Sequence, residues 1–131
     1  MGWVTDPNSE NNIVGTTDLS KRLEAVQVRL ADAPHNMTVC YQVYVQDYGW
    51  MEQGCNGFVA GTTGEKRRVE AIKIWLIDAP QNVHLQYRAH IEDIGWLSWQ
   101  SNGETAGTTG QGKRMEALNV KICRPDNNYC S

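Results

Sequence analysis

The feature that most constrains the fold is a segment that the chain contains three times. The copy AGTTGQGKRMEALNVKI (residues 106–122) repeats AGTTGEKRRVEAIKIWL (60–76) and VGTTDLSKRLEAVQVRL (14–30). Its glycine, arginine and glutamate anchors recur at steps of 46 residues: Gly15, Gly61 and Gly107; Arg22, Arg68 and Arg114; Glu24, Glu70 and Glu116. A fixed period of this size indicates a repeat architecture. We therefore expect a single domain over residues 1–131, built from repeats at about 1–36, 37–82 and 83–128, the first lacking its leading strand.

The pattern of side chains within each repeat predicts strands. Apolar and polar residues alternate over Arg68–Ile77, and again over Val83–Ile94 beyond the turn sequence Asp-Ala-Pro at 78–80, so a long hairpin is expected there. The Asn-Gly dipeptides at 56–57 and 102–103 predict tight hairpin turns. Each complete repeat then has two long and two short strands, all antiparallel and local. The expected fold is an all-β domain with pseudo-threefold symmetry, β-prism-like, with a β-trefoil as the alternative.

Composition excludes several classes of partner. The net charge of −3 leaves no basic stripe for nucleic acid. Membrane insertion is not expected either, because no apolar run approaches the roughly 18 to 20 residues of a spanning helix. The N-terminus lacks the profile of a signal peptide, although a mature form with its export signal removed would look the same. No residue pattern calls for a cofactor.

The four cysteines favour local disulfides. Cys40, Cys55, Cys123 and Cys130 form no CxxC pair, and an even count in a small domain is compatible with an oxidising compartment. The favoured pairing is Cys40–Cys55 and Cys123–Cys130, each of which closes a short loop; buried free thiols are the alternative. Close ligand pairs of the kind that hold zinc are lacking, so no metal site is expected.

The repeats resemble a known family. The unit YRAHIEDIGWLSWQSNGETAGTTGQGKRMEALNVKI (residues 87–122) is similar to the clostridial hydrophobic repeats with a characteristic tryptophan, the ChW family. That family's pattern is a strand, Gly-Trp, a second Trp, Asn-Gly, a GTxG step and an RLEAI-like strand, and the resemblance runs from Gly2 to Ile122. It implies a bacterial or phage-borne secreted or surface module associated with adhesion or polysaccharide binding. The second Trp is present only as Trp99, and Gln53 takes its place in the second repeat.

The histidines and carboxylates do not form a catalytic pattern. His84 and His90 lie six residues apart on one predicted strand, a separation of about 20 Å, too far to share a proton or a metal. The repeat-equivalent glutamates are each expected in a separate environment, unlike the paired carboxylates of a glycosidase. The sequence therefore predicts a protein that is not an enzyme.

Two kinds of residue are weighed for binding. Arg68 and Glu70 fall at the edge of an apolar strand face, which predicts a partly buried ion pair; the alternative is that they present a donor and an acceptor to sugar hydroxyls. The tryptophans of the Gly-Trp steps, Trp3, Trp50 and Trp96, are expected in the core. Trp99 occurs in a polar segment of one repeat, so a partly exposed ring that serves as a platform for a pyranose is expected there. Trp75 is a second surface candidate, with a dimer contact as the alternative.

The leading hypothesis is a secreted or cell-surface, multivalent, lectin-like module that binds a glycan or cell-surface polysaccharide, with up to one site per repeat. The alternative is a non-catalytic adhesive or structural module of a bacterial surface or phage particle that binds protein, in which the unpaired edge of the first repeat favours a homodimer. The candidate carbohydrate-binding residues are Thr16, Thr17, Arg22, Glu24, Asp47, Trp50, Asn56, Gly57, Thr62, Thr63, Arg68, Glu70, Asp93, Trp96, Trp99, Asn102, Gly103, Thr108, Thr109, Arg114 and Glu116.

Overall fold

The chain folds into strands, as the alternating pattern predicts. A computed structural model describes residues 4–5, 13–15, 24–29, 37–62, 66–81 and 83–123, and these form strands and turns without a helix. The strands are β1 (Val4–Thr5), β2 (Ile13–Gly15), β3 (Ala25–Val28), β4 (Thr38–Val45), β5 (Gly49–Trp50), β6 (Gly54–Cys55), β7 (Ala60–Gly61), β8 (Val69–Ile77), β9 (His84–Ile91), β10 (Gly95–Trp96), β11 (Gln100–Ser101), β12 (Ala106–Gly107) and β13 (Met115–Cys123). The all-β class is confirmed.

The long strands pair within a repeat. β8 lies antiparallel to β4, and β13 lies antiparallel to β9, in two separate sheets. The expected hairpin around residues 78–80 is therefore wrong, because β8 and β9, which flank that turn, belong to different sheets. Alternation reports which face of a strand is buried but does not identify the neighbouring strand. The Asp-Ala-Pro turn is a connection between sheets.

The short strands link one repeat to another. β7 of the second repeat pairs with β3 of the first, β12 of the third pairs with β8 of the second, and β2 of the first pairs with β13 of the third. The expectation that all pairing is local is therefore wrong. A prism-like or trefoil arrangement and threefold symmetry stay predictions.

The leading strand that the first repeat lacks is replaced in part. β1 pairs with β3 in parallel, Val4 opposite Gln27 and Thr5 opposite Val28. The expectation of antiparallel pairing throughout is wrong at this point. The edge of β3 that was expected to be unpaired is occupied over these residues, which weakens the case for a homodimer built on that edge.

The core lies on one face of the long strands. Val39, Tyr41, Val43 and Val45 of β4 are fully buried, and they alternate with partly exposed or disulfide-bonded residues. Alternate residues of β9 are buried in the same way. The pairing of β4 with β8 shifts by one residue beside Val45, and that of β9 with β13 shifts beside Met115. These β-bulges fall at the glutamate anchors, and such local irregularities re-aim side chains near functional sites.

One of the two expected disulfides is present. Cys40 and Cys55 are bonded and are direct cross-strand partners of β4 and β6. The Cys123–Cys130 pairing lies outside the described residues.

We expect removal of the Cys40–Cys55 bond, in the double variant Cys40→Ser/Cys55→Ser, to lower the free energy of unfolding by about 3 kcal/mol, because the bond closes a loop with a sequence separation of 15 residues. Urea denaturation without reductant measures the loss. A decrease below about 1 kcal/mol would show that this cross-link does not constrain the unfolded chain in the way that loop-closure entropy requires.

Candidate functional site

A polar cleft lies where the second and third repeats meet. Its volume is about 480 Å³. The lining residues come from the end of β4 and the turn after it, from the start of β8, and from the glycine-rich loop that follows β12: Tyr44, Gln46, Asp47, Tyr48, Gly49, Arg68, Glu70, Gly110 and Gly112. Of the residues predicted from sequence, the cleft brings together Asp47, Arg68 and Glu70.

The turn between β4 and β5 presents an aromatic and an acidic side chain. The backbone N–H of Tyr48 donates to the carbonyl of Val45 at 3.0 Å, which closes the turn. Asp47 adopts the left-handed conformation, with φ of 68°, as aspartate does more readily than most residues. Tyr48 is 48% exposed as a result. The turn therefore places a ring and a carboxylate at the rim of the cleft.

The rim residues are held by a neighbouring cation. Arg67 donates to the Asp47 carboxylate at 2.5 Å, and this hydrogen bond raises the pKa of the arginine. The Arg67 guanidinium carbon also lies 4.6 Å from the centroid of the Tyr48 ring. Such contacts at an exposed site stabilise weakly, so Arg67 orients Asp47 and Tyr48 more than it stabilises the fold.

The predicted Arg-x-Glu ion pair is confirmed in the second repeat. Nε of Arg68 donates to Oε2 of Glu70 at 2.8 Å, and Glu70 is only 3% exposed. A buried carboxylate is costly without a compensating partner, which explains why arginine accompanies it. The pair supplies the charged part of the cleft wall.

The third repeat contains the same pair with more partners. Arg114 contacts Glu116 at 3.1 Å and Glu92 at 2.8 Å. Nδ1 of His90 lies 3.2 Å from Oε1 of Glu116 without the alignment of a hydrogen bond. At the rim, Lys113 lies 3.9 Å from Asp93. In the first repeat, Glu24 is described but Arg22 lies outside the described residues, so that pair stays a prediction.

Trp50 and Trp96 do not lie in the core, so the expectation is wrong for these two Gly-Trp steps, whereas Trp3 lies outside the described residues. Trp50 is directly opposite Tyr44, and Trp96 is directly opposite His90, on the sheet faces that point away from the core. Both rings are partly exposed. Each packs edge-on against its cross-strand partner, with ring centroids 5.5 Å and 5.2 Å apart. A cation contacts each ring: Lys73 lies over Trp50, and Arg88 lies over Trp96.

Trp99 is not a bare platform. Its ring is partly buried, with Nζ of Lys121 at 4.0 Å and the guanidinium carbon of Arg88 at 4.6 Å from its centroid. The ring is partly exposed, as expected, and its use as a platform for a sugar stays a prediction. Trp75 is partly exposed on the outer face of β8, directly opposite Cys40.

The GTT segments serve to join repeats. The backbone N–H of Thr62 donates to the carbonyl of Glu24 at 3.0 Å, and that of Thr108 donates to the carbonyl of Glu70 at 3.1 Å. The hydroxyls of Thr62 and Thr108 are buried without a hydrogen-bond partner in the described part of the chain. Thr109 is exposed. Thr16, Thr17 and Thr63 lie outside the described residues.

The Asn-Gly dipeptides form turns, as predicted, but the strands beside them do not pair with each other. β6 pairs with β4, whereas β7 pairs with β3. The side-chain oxygen of Asn56 accepts from the N–H of Val39 at 3.2 Å. The N–H of Gly57 donates to the carbonyl of Val28, and that of Gly103 donates to the carbonyl of Ile74. Asn102 is exposed in the equivalent turn. Asn56, Gly57 and Gly103 therefore form hydrogen bonds within the scaffold.

Sequence reasoning missed the two tyrosines of the cleft. Tyr44 and Tyr48 occur in the second repeat only, and the third has His90 and Ile94 at the same positions. The two tyrosines are therefore not part of the repeated pattern. The available signal was the clustering of two tyrosines around an aspartate in the segment YVQDYG, residues 44–49.

The described residues contain no helix that is both long and apolar enough to cross a membrane. No curated protein and no solved structure is significantly similar to the chain. A family model, Clostridial hydrophobic W, matches residues 1–32, 44–78 and 90–123. The matches cover most of the chain and coincide with the three repeats, and the Gly-Trp steps and Arg-x-Glu strands described above lie within them. The chain belongs to the ChW family and carries three of its repeats.

Proposed function

We propose that the protein is a non-catalytic carbohydrate-binding module and that the cleft between the second and third repeats is its principal glycan site. The observation that carries the proposal is the presence of two tyrosines beside a partly buried arginine–glutamate pair in one polar cleft. Family membership supports the coarser statement of a repeat-containing module of the bacterial surface type. Secretion or display at the cell surface is part of the proposal.

The chemistry of the cleft suits a sugar. A pyranose has an apolar C–H face, which packs on aromatic rings, and hydroxyls at its edge, which need fixed donors and acceptors. Tyr44 and Tyr48 supply the rings. Arg68 has five N–H donors, of which the Nε–H is bonded to Glu70. The remaining donors of Arg68 and the carboxylate oxygens of Asp47 are the expected partners of sugar hydroxyls.

The repeats are not expected to bind equally. At the matching positions of the third repeat, His90, Glu92 and Ile94 replace Tyr44, Gln46 and Tyr48. Arg114 is shared there between two carboxylates, Glu92 and Glu116, which leaves fewer donors for a ligand. Multivalent binding would then come from several copies of the module in one polypeptide chain or on one surface.

Tyr48→Ala tests the site. We expect it to weaken glycan binding at least about tenfold while the melting temperature changes little, because an exposed ring contributes to binding rather than to the core. Ile94→Ala is the matched control, since Ile94 occupies the same position in the third repeat and is 49% exposed. A glycan array identifies a ligand, and calorimetry with that ligand compares the variants.

Two results would count against the proposal. If the wild-type protein binds no glycan on a dense array, the protein-binding alternative gains, and capture of a protein partner would need to be sought instead. If a glycan binds and Tyr48→Ala binds it as tightly as Ile94→Ala does, the site lies elsewhere.

A further inference from the structure

The outer face of the third repeat carries a row of rings and cations. The guanidinium carbon of Arg88 lies 4.6 Å from the ring centroids of both Trp96 and Trp99, and Nζ of Lys121 lies 4.0 Å from the Trp99 centroid. Arg88 is on β9 and Lys121 is on β13, both at positions that alternate with core residues. These four residues are called the cationic aromatic face.

The charge of this face is uncompensated within the described part of the chain. Arg88 and Lys121 form no ion pair with a carboxylate there, whereas Arg67, Arg68, Lys113 and Arg114 each do. Nε of Arg88 is buried and has no hydrogen-bond partner among the described residues. Burial and the nearby charge of Arg88 lower the pKa of Lys121. Two positive charges, on Arg88 and Lys121, therefore lie close together, and the Nε–H donor of Arg88 is not used within the described part of the chain.

The second repeat shows that the scaffold does not require this arrangement. At the positions of Arg88 and Lys121 it has Gln42 and Trp75, and Gln53 replaces Trp99. A single cation, Lys73, lies over the Trp50 ring. A sheet of the same construction thus forms with one cation in contact with tryptophan on its outer face, whereas the third repeat has two, Arg88 and Lys121.

From these contacts we propose that the cationic aromatic face binds the acidic groups of an anionic polysaccharide. A carboxylate or sulfate group would accept from the terminal N–H groups of the partly exposed Arg88 and from the Lys121 ammonium, and it would relieve the repulsion between the two cations. The tryptophans hold the cations in place by cation–π contact, so little ordering is needed on binding. This face shares no residue with the cleft, and the proposal does not rest on the cleft binding a sugar.

The test compares three polymers with the same backbone: dextran, carboxymethyl dextran and dextran sulfate. We expect the wild-type protein to bind the two charged polymers and not dextran, with affinity that falls between about 50 and 200 mM salt as charge is screened. Arg88→Gln/Lys121→Gln should weaken binding at least tenfold. Lys73→Gln, which removes the cation that contacts Trp50 in the second repeat, should leave it unchanged. Lys121→Gln alone should weaken binding severalfold, which keeps the test valid if the Arg88 variant does not fold.

Several outcomes would overturn the proposal. Equal binding of dextran and the charged polymers would show that charge is not recognised. Equal losses in Lys73→Gln and Lys121→Gln would show that binding follows overall charge and not this face. Tyr48→Ala separates the two proposals, because it removes the cleft tyrosine and should leave binding of dextran sulfate intact.

Discussion

Gly107→Ala is expected to lower the free energy of unfolding by at least about 4 kcal/mol, the combined cost of backbone strain and lost interstrand hydrogen bonds. The φ angle of Gly107 is 107°, where L side chains are rarely found. A Cβ atom there would lie 2.4 Å from the carbonyl oxygen of Glu70 and 2.8 Å from the Cα of Ala71. Both atoms are backbone, so β12 must move away from β8. The bond from the Thr108 N–H to Glu70 would then be lost.

Gly95→Ala is the matched control. Gly95 has a φ angle of 93°, but a Cβ atom there meets nothing within 4 Å. The substitution adds backbone strain without a clash, so a loss of about 1 to 2 kcal/mol is expected. Urea denaturation compares the two variants. Equal losses of stability would show that close packing of β12 on β8 is not the reason that position 107 requires glycine. Gly61→Ala should behave like Gly107→Ala, because its Cβ would lie 2.4 Å from the carbonyl of Glu24.

The glycine of the GTT segment shows how much of the fold the sequence could predict. The recurrence of GTT identified the repeats, because the glycine meets the same steric requirement at Gly61 and at Gly107, and the alternating strand identified the all-β class, because one strand face is buried. The pairing partners could not be read in this way. β12 reaches back to β8 of the preceding repeat, and β8 pairs with β4 instead of β9. Those choices depend on how three sheets share one core, which no local pattern records.

The site shows a similar division. The ion pair of Arg68 and Glu70 was predictable because two opposite charges at the edge of an apolar strand need each other. Trp50 was misassigned to the core, since a ring between apolar residues looks the same whether it packs inward or against Lys73 on the outer face. Lys73 alternates with buried residues of β8, and that spacing was the available signal. The two tyrosines of the cleft were missed because they are not repeated.

Two buried tyrosines form hydrogen bonds with backbone groups, and one of them joins neighbouring repeats. The hydroxyl of Tyr41, on β4, accepts from the N–H of Val28 at 3.0 Å and donates to the carbonyl of Phe58. Tyr87, on β9, is the equivalent tyrosine of the third repeat, and its hydroxyl donates to the carbonyl of Glu104 in the turn of its own repeat. Both side chains are fully buried. The Tyr41 hydroxyl therefore satisfies backbone groups of a strand in the preceding repeat and of a turn in its own, and the Tyr87 hydroxyl satisfies a turn in its own repeat.

Tyr41→Phe/Tyr87→Phe is expected to lower the free energy of unfolding by about 2 to 6 kcal/mol, because each of the two lost hydroxyls leaves backbone partners unpaired at a cost of roughly 1 to 3 kcal/mol. Tyr48→Phe, on the exposed turn, is the matched control and should change stability by no more than about 0.5 kcal/mol. Urea denaturation at neutral pH measures all three proteins. A loss in the double variant no larger than that of the control would show that the hydrogen bonds of the two buried hydroxyls do not stabilise the fold.

The same residues predict how stability depends on alkaline pH. Burial is the main cause that raises the pKa of Tyr87 from 10.0 to about 12, and it raises the pKa of Tyr41 in the same direction. Above pH 10 the unfolded chain loses phenolic protons that the folded chain retains. Stability contributed by Tyr87 is therefore complete below about pH 10 and is lost as the pH rises to about 12, by roughly 2 to 3 kcal/mol. Because phenylalanine does not titrate, the double variant should lose less stability than the wild-type protein over this interval. Parallel curves for the two proteins would show that the buried hydroxyls are not the groups that titrate.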